Sequence, residues 1–347
     1  MMSDKKVLLI CHLTGSKSNG QVAKTKDTYD FLKENGFDVE ILNYGKFNSF
    51  QKIFLSKKLI KKHERIVLMP GGKKALFYYI NLITKFKKTN AHYVAIGGWV
   101  LSLLNNPKNN RHFEKLKSFK GVYLQNIKTQ KAFEEKGFKN TLYVSNFSSK
   151  KPLTAKEFED KNNAYNSIKE FRFCFFARVE KSKGVLLACD AIKRIGEKYS
   201  NLPISLDIYG EIKDKSLENE LQDICVNNKN IKIKGVLSGD KVIQELSTYY
   251  CMLFPTFYKG EGTPHTVIES FMAGLPVIAS NWAYNSEVVE NNKTGLLFEL
   301  DSDELFEKIE WAINNPSKIE EFSRNCFEHS KDFNKEKSLR PLLNNLD

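Results

Sequence analysis

Short runs of apolar residues recur along the whole chain, each closed by glycine, proline or a polar cluster. The first, residues 6–11 (KVLLIC), shows no polar alternation. That is the pattern of a parallel strand covered on both faces. Similar runs at 37–42, 66–69, 92–96, 121–125 and 141–144 complete a first set. Helical spacing fills 22–34 and 75–86; Asn35-Gly36 stops the first of these helices, and Pro70-Gly71-Gly72 ends the strand before the second. Residues 148–166 (SSKKPLTAKEFEDKNNAYN) are polar, hold no strand and read as a linker. The strand pattern then restarts at 171–177, 204–209, 230–234, 251–254, 277–280 and 295–298, and 303–314 and 319–347 read as helical. This alternation predicts an α/β chain of two tandem doubly wound, Rossmann-like parallel-sheet domains with a cleft between them. A length of 347 residues suits two cores better than one. The expected division is 1–160, 161–330, and a C-terminal helix at 331–347 that returns to the N-terminal domain.

In open α/β sheets, ligands sit outside the carboxyl ends of the strands. That rule singles out the loops at 13–20, 70–74 and 97–99, and at 178–184, 210–212, 235–237 and 256–266. The most informative segment is 258–280 (YKGEGTPHTVIESFMAGLPVIAS). Gly260, Gly262 and Pro264 make a tight loop, a helix begins near His265 or Thr266, and Gly274-Leu275-Pro276 ends it. Free N–H groups at a helix start behind glycines form an anion site. Glu261 stands just before the helix and Glu269 about a turn inside it. Alone, each would read as a helix cap or a surface residue. Beside a phosphate site they suit vicinal hydroxyls, since a carboxylate accepts from two at once. In 171–195 (FRFCFFARVEKSKGVLLACDAIKRI), Arg178 and Lys183 flank a short loop and Gly184 opens a helix. Two cations there suit a diphosphate and the charge that grows as it departs.

These segments resemble the family 4 glycosyltransferases, which have the GT-B fold. The resemblance rests on ARVEKSKG, on EGTPHTVIE, on AGLPVIAS and on SEVVENNKTGLLFE (286–299), and is strong over 171–299. It implies a retaining, metal-independent transferase using a nucleotide-sugar donor, UDP- or GDP-linked, with no cofactor. Arg178 and Lys183 would hold the diphosphate and, with Glu261, form the catalytic group. Glu269 would hold the ribose. Glu261 with Gly262, Thr263, Pro264, His265 and Thr266 would hold the sugar, while Gly210 and Val236 pass near base and ribose. The loop 15–27 (GSKSNGQVAKTKD) resembles the family's glycine loop; Gly20 is assigned to the donor, Gln21 and Lys24 to the acceptor. Many members carry a histidine after the strand at 92–96, where this chain reads Gly97-Gly98-Trp99. Gly98 and Trp99 are the acceptor-side candidates there. No D-x-D cluster lies at a strand end in a place to bridge a diphosphate to a cation, so no metal is expected.

The charge is uneven. Residues 1–150 hold 28 Lys+Arg and 10 Asp+Glu, a net +18; the rest hold 26 and 31, a net −5. A basic half points to a polyanionic partner or to a solvated lysine-rich surface. Nucleic acid is disfavoured because the basic half shows no basic–aromatic platform. An anionic membrane or lipid-linked acceptor fits better. Residues 47–62 (FNSFQKIFLSKKLIKK) have membrane-surface character, although Lys57 and Lys61 interrupt the apolar stripe. The six cysteines form no C-x-x-C pair, the apolar start is too short for a signal peptide, and no stretch approaches a membrane span. The location implied is cytoplasmic, peripheral to the inner membrane face, with a role in assembling surface polysaccharide such as capsule or lipopolysaccharide. Competing readings are a nucleotide-sugar epimerase of the same fold and an inactive binding subunit of a glycan-assembly complex.

Overall fold

The computed structural model describes residues 5–13, 20–163, 165, 170–239 and 241–346. The chain divides into two compact units, one of Met1–Phe147 with Asn334–Asp347 and the other of Ser148–Phe333. The first unit runs β1 (Lys6–Cys11), α1 (Gly20–Glu34), β2 (Asp38–Asn43), α2 (Ser49–Lys62), β3 (Arg65–Met69), α3 (Lys73–Lys85), β4 (Ala91–Val94), α4 (Trp99–Leu104), α5 (Asn110–Leu116), β5 (Gly121–Leu124), α6 (Ile127–Glu135) and β6 (Thr141–Tyr143). The second runs α7 (Ala155–Asn163), β7 (Phe171–Phe176), α8 (Val185–Lys198), β8 (Ile204–Tyr209), α9 (Lys215–Asn227), β9 (Ile231–Gly235), α10 (Lys241–Leu246), β10 (Cys251–Phe254), α11 (His265–Met272), β11 (Val277–Ser280), β12 (Gly295–Phe298), α12 (Ser302–Asn314) and α13 (Pro316–Ser330). The last helix, α14 (Lys335–Leu346), belongs to the first unit.

Each unit is built on a six-stranded sheet, in the order β2-β1-β3-β4-β5-β6 and β12-β11-β10-β7-β8-β9. Every described strand pair is parallel. The unbroken apolar runs follow from cover on both faces. In β1, Leu8 and Ile10 pack with Ile60, Leu76 and Ile80 of α2 and α3. Val7 and Leu9 face the other way, onto Phe31 of α1 and Leu339, Leu342, Leu343 and Leu346 of α14. In β7, Phe173 and Phe175 serve one core, and Cys174 and Phe176 the other.

One local expectation needs correction. The stretch at 148–166 contains a helix, α7, capped by a reciprocal pair: Thr154 Oγ1 accepts from the Glu157 N–H at 3.2 Å, and Glu157 Oε2 accepts from the Thr154 N–H at 2.7 Å. Phe158 anchors it in the second unit's core, stacked on Phe327 at 4.3 Å. The C-terminal stretch, read as helical over 319–347, holds two helices, α13 and α14. Asn334 starts the second by accepting from the Lys337 N–H at 2.7 Å, and Phe333 is buried in the second unit's core.

Both sheets reverse their winding beside the first strand of the set. In the second unit β8 and β9 lie to one side of β7, while β10, β11 and β12 lie to the other. Loops leaving β7 and β10 therefore diverge at a switch point, the position where open α/β sheets place their ligands. In the first unit the switch point lies between β1 and β3. Residues 14–19 of the loop after β1 lie outside the described residues.

Candidate active site

The loop after β7 turns through a 3-10 segment at Lys181–Lys183 and enters α8 at Gly184. Gly184 has φ +78°, and a Cβ there would lie 2.0 Å from the carbonyl oxygen of Pro255 at the end of β10. Only glycine permits this approach. It draws the two loops together, and the Phe257 N–H donates to Ser182 O at 2.8 Å. Gly210, after β8, has φ +146° and similarly closes on the Ala177 carbonyl, where a Cβ would stand 1.8 Å away. The strand ends of β7 and β8 thus stay in contact beyond the sheet, with a bridge between Val179 and Ile212.

This closure places Lys183 against Glu261. The ammonium donates to Glu261 Oε2 at 2.6 Å, and both side chains are buried. Thr256, fully buried, donates its hydroxyl to the same oxygen at 2.8 Å. The Lys183 ammonium also lies over the Tyr258 ring, 4.8 Å from its centroid. The loop is fixed from behind: Ser280 Oγ donates to Thr256 O at 2.6 Å, and the Trp282 indole N–H donates to Tyr258 O at 2.9 Å. Arg178 also reaches Tyr258, its guanidinium 5.3 Å from the ring centroid. It is exposed and pairs with Glu180 at 2.6 Å. Lys183, Arg178 and Glu261 therefore gather around one tyrosine. Lys183 is buried in its pair with Glu261, whereas Arg178 lies at the surface in its pair with Glu180.

Glu269 sits one turn into α11 and is 2% exposed. Its Oε1 receives the Lys150 ammonium, His265 Nδ1 at 3.2 Å and Ser148 Oγ at 3.4 Å. Burial alone would push this carboxyl up. The hydrogen bond and charge of His265, with the charge of Lys150, outweigh burial and hold it below the ordinary glutamate value of 4.5. A group depressed by folding contributes stability above its unfolded pKa, and the contribution fades as pH falls through the folded one. The stability difference between the wild type and Glu269→Gln is thus expected in full near pH 6, and smaller near pH 4. Urea unfolding of both proteins at the two pH values checks it; a pH-independent difference would contradict this electrostatic account.

The remaining donor-side candidates surround these pairs. Thr263 and Pro264 are buried, Gly262, His265 and Thr266 half-buried, and Pro264 caps α11 without a side-chain acceptor. Val236 follows β9 and is 61% exposed. In the first unit, Gly20 opens α1 with Gln21 in its first turn. Lys24 is buried, donates to Asn146 Oδ1 at 3.2 Å and lies 4.8 Å from the Phe147 ring centroid. Burial pulls its ammonium down to about 7, against the opposing charge of Asp27. Gly98 precedes α4, and Trp99 starts it, partly buried against that unit's core.

Lys150 lies outside the loops that the sequence singles out, and Thr256 and Tyr258 lie inside one of them, 256–266, without an assigned role. Lys150 carried no signal, because its partner lies 119 positions away. Thr256 and Tyr258 lie inside the loop after β10 and were legible by position alone. The triplet Asp301-Ser302-Asp303 has D-x-D form but serves structure: Asp301 Oδ1 caps α12 by accepting from the Asp303 and Glu304 N–H groups, and Asp303 pairs with Arg194.

The model of the glycosyl transferases group 1 family matches residues 156–329, half of the chain. An uncharacterized glycosyltransferase of Methanocaldococcus jannaschii is 29% identical over 127 residues, 35% of this chain and 29% of that protein. The UDP-Gal:alpha-D-GlcNAc-diphosphoundecaprenol alpha-1,3-galactosyltransferase of Escherichia coli is 27% identical over 158 residues, 45% of this chain and 40% of that protein. These matches span less than half the length of either relative. Anabaena HepE, solved in complex with UDP, aligns with a TM-score of 0.75 at 16% identity, covering 98% of this chain and 99% of that one. That likeness shows a shared fold, the GT-B type with two Rossmann-like sheets. With half the chain matched by the family model, the protein belongs to the glycosyl transferases group 1 family.

Proposed function

We propose that this chain moves a sugar from a nucleotide-sugar donor, UDP- or GDP-linked, to a glycan or lipid-linked acceptor, retaining anomeric configuration and using no metal. The buried Lys183–Glu261 pair carries this reading. An ammonium has three N–H donors, and Glu261 takes one of them. Its charge is already desolvated and fixed, so it stabilises a departing diphosphate without reorganising. Arg178, exposed beside the same tyrosine, supplies a second cation. The open N–H groups at the start of α11 add partial positive charge. Glu261, beside both, accepts from sugar hydroxyls, and Glu269, kept ionised by its partners, accepts from the ribose. No additional carboxylate in the first-unit loops invites a covalent role, so front-face attack is the mechanism proposed, with the diphosphate taking the acceptor proton. Gln21, Lys24, Gly98 and Trp99 are the acceptor-side residues of this proposal.

The named relatives support a UDP donor and a lipid-diphosphate acceptor. HepE was solved with UDP-glucose, and the Escherichia coli relative is named for UDP-Gal and a diphosphoundecaprenol substrate. The setting proposed is surface polysaccharide assembly, capsule or lipopolysaccharide, in the cytoplasm and peripheral to the inner membrane face. Among the described residues no helix is long and apolar enough to cross a membrane.

Release of free nucleoside diphosphate from a panel of nucleotide sugars, with a lipid-diphosphate acceptor present, tests the proposal. The donor that turns over is expected to do so equally in excess chelator, because Arg178 and Lys183 supply the positive charge directly. Loss of turnover on chelation and recovery with a divalent ion would overturn the metal-independent mechanism.

A further inference from the structure

Helix α2 is held to the first unit by one side only. Ser56 and Ile60 are buried, and the Ser56 hydroxyl meets the Tyr79 hydroxyl at 3.2 Å. The opposite side carries Phe50, Ile53 and Phe54, which are 81%, 43% and 62% exposed. Their i, i+3, i+4 spacing makes them one apolar patch. One turn further, the same outward side carries exposed Lys57, Lys58 and Lys61. The interruption noted in the sequence is thus a division along the axis: apolar at the start of the outward face, basic at its end. Residues 51–100 as a whole hold 11 Lys+Arg, these three among them, and one Asp+Glu.

A partner for this face must offer an apolar layer and negative charge side by side. An anionic membrane surface does so, with an acyl boundary for the phenylalanines and acidic headgroups for the lysines. A second copy of this chain would set Lys57, Lys58 and Lys61 against the same basic surface. We propose that α2 is the membrane-docking element of the protein: Phe50, Ile53 and Phe54 enter the headgroup boundary, and Lys57, Lys58 and Lys61 bind anionic headgroups. This deepens the peripheral-membrane part of the reading above and rests on it. It is independent of donor chemistry, so vesicle binding can fail while sugar transfer stands.

Flotation of the full chain with phosphatidylcholine vesicles, with and without phosphatidylglycerol, tests it. Binding is expected only with phosphatidylglycerol, and weakens as salt rises. The pair F50S/F54S and the triple K57Q/K58Q/K61Q are each expected to lower partitioning about tenfold or more. Lys62 is left intact because it pairs with Glu40 at 2.9 Å. Both variants change exposed side chains, so their far-ultraviolet circular dichroism and melting temperatures should match the wild type and show that they are folded. Equal binding to neutral and anionic vesicles, no binding at low salt, or variants that bind like the wild type would each overturn the proposal. So would a dimer that F50S/F54S splits without any effect on vesicles.

Discussion

Lys183→Ala is expected to lower kcat by about 10²–10³, the usual effect of removing one fixed electrostatic donor from an active site. Two consequences of this substitution must be separated. The ammonium that would face the leaving diphosphate is gone, and Glu261 is left buried beside Thr256 without its 2.6 Å partner. Breaking a buried pair from one side costs about 3–5 kcal/mol of stability. The double variant Lys183→Met with Glu261→Gln removes both charges and is expected to regain most of that stability without regaining turnover. Thermal melts and initial rates on the two variants separate the effects. A stable single variant with wild-type turnover would remove Lys183 from the mechanism.

The second large effect is expected at Gly184, which touches no substrate in this account. A Cβ there would overlap the Pro255 carbonyl at 2.0 Å, and the φ of +78° is unfavourable for any other residue. Strain and overlap together put the cost of Gly184→Ala at roughly 3–5 kcal/mol. Gly36 provides the control: its φ is +83°, but nothing lies within 4 Å of the Cβ position. Gly36→Ala should therefore cost only about 1 kcal/mol, the dihedral penalty alone. Melting both variants decides the matter. Equal losses would mean that the close approach of the two loops is not what Gly184 maintains. If Gly184→Ala folds at all, its loops must part, and Lys183 loses register with Glu261.

Much of this was legible in the sequence where one local pattern decides the outcome. β10, β11 and β12 fall where the apolar runs place them, because a strand buried on both faces has no polar position to blur its ends. The start of α11 was marked by its glycine–proline loop. Helix α7 went unread although Thr154-x-x-Glu157 is a capping signature, since its polar composition outweighed that signal. The outward face of α2 was blurred for a different reason. Periodicity shows that a helix has two sides but not that Ser56 and Ile60 are the buried ones. The site itself was legible as residue types at strand ends, not as pairs. Lys183 and Glu261 lie 78 positions apart, and Lys150 and Glu269 lie 119 apart; only the winding of the sheet and the close approach at Gly184 bring the first pair together.

On the function proposed above, the loops at the ends of β7 and β10 hold the nucleoside diphosphate of a sugar donor. Calorimetric titration of nucleoside diphosphates into the wild type and Lys183→Ala tests it most directly. Saturable one-to-one binding of one diphosphate to the wild type is expected, with a loss of about tenfold or more in affinity for the variant. Absence of binding across the panel, or undiminished affinity in a folded Lys183→Ala protein, would contradict it.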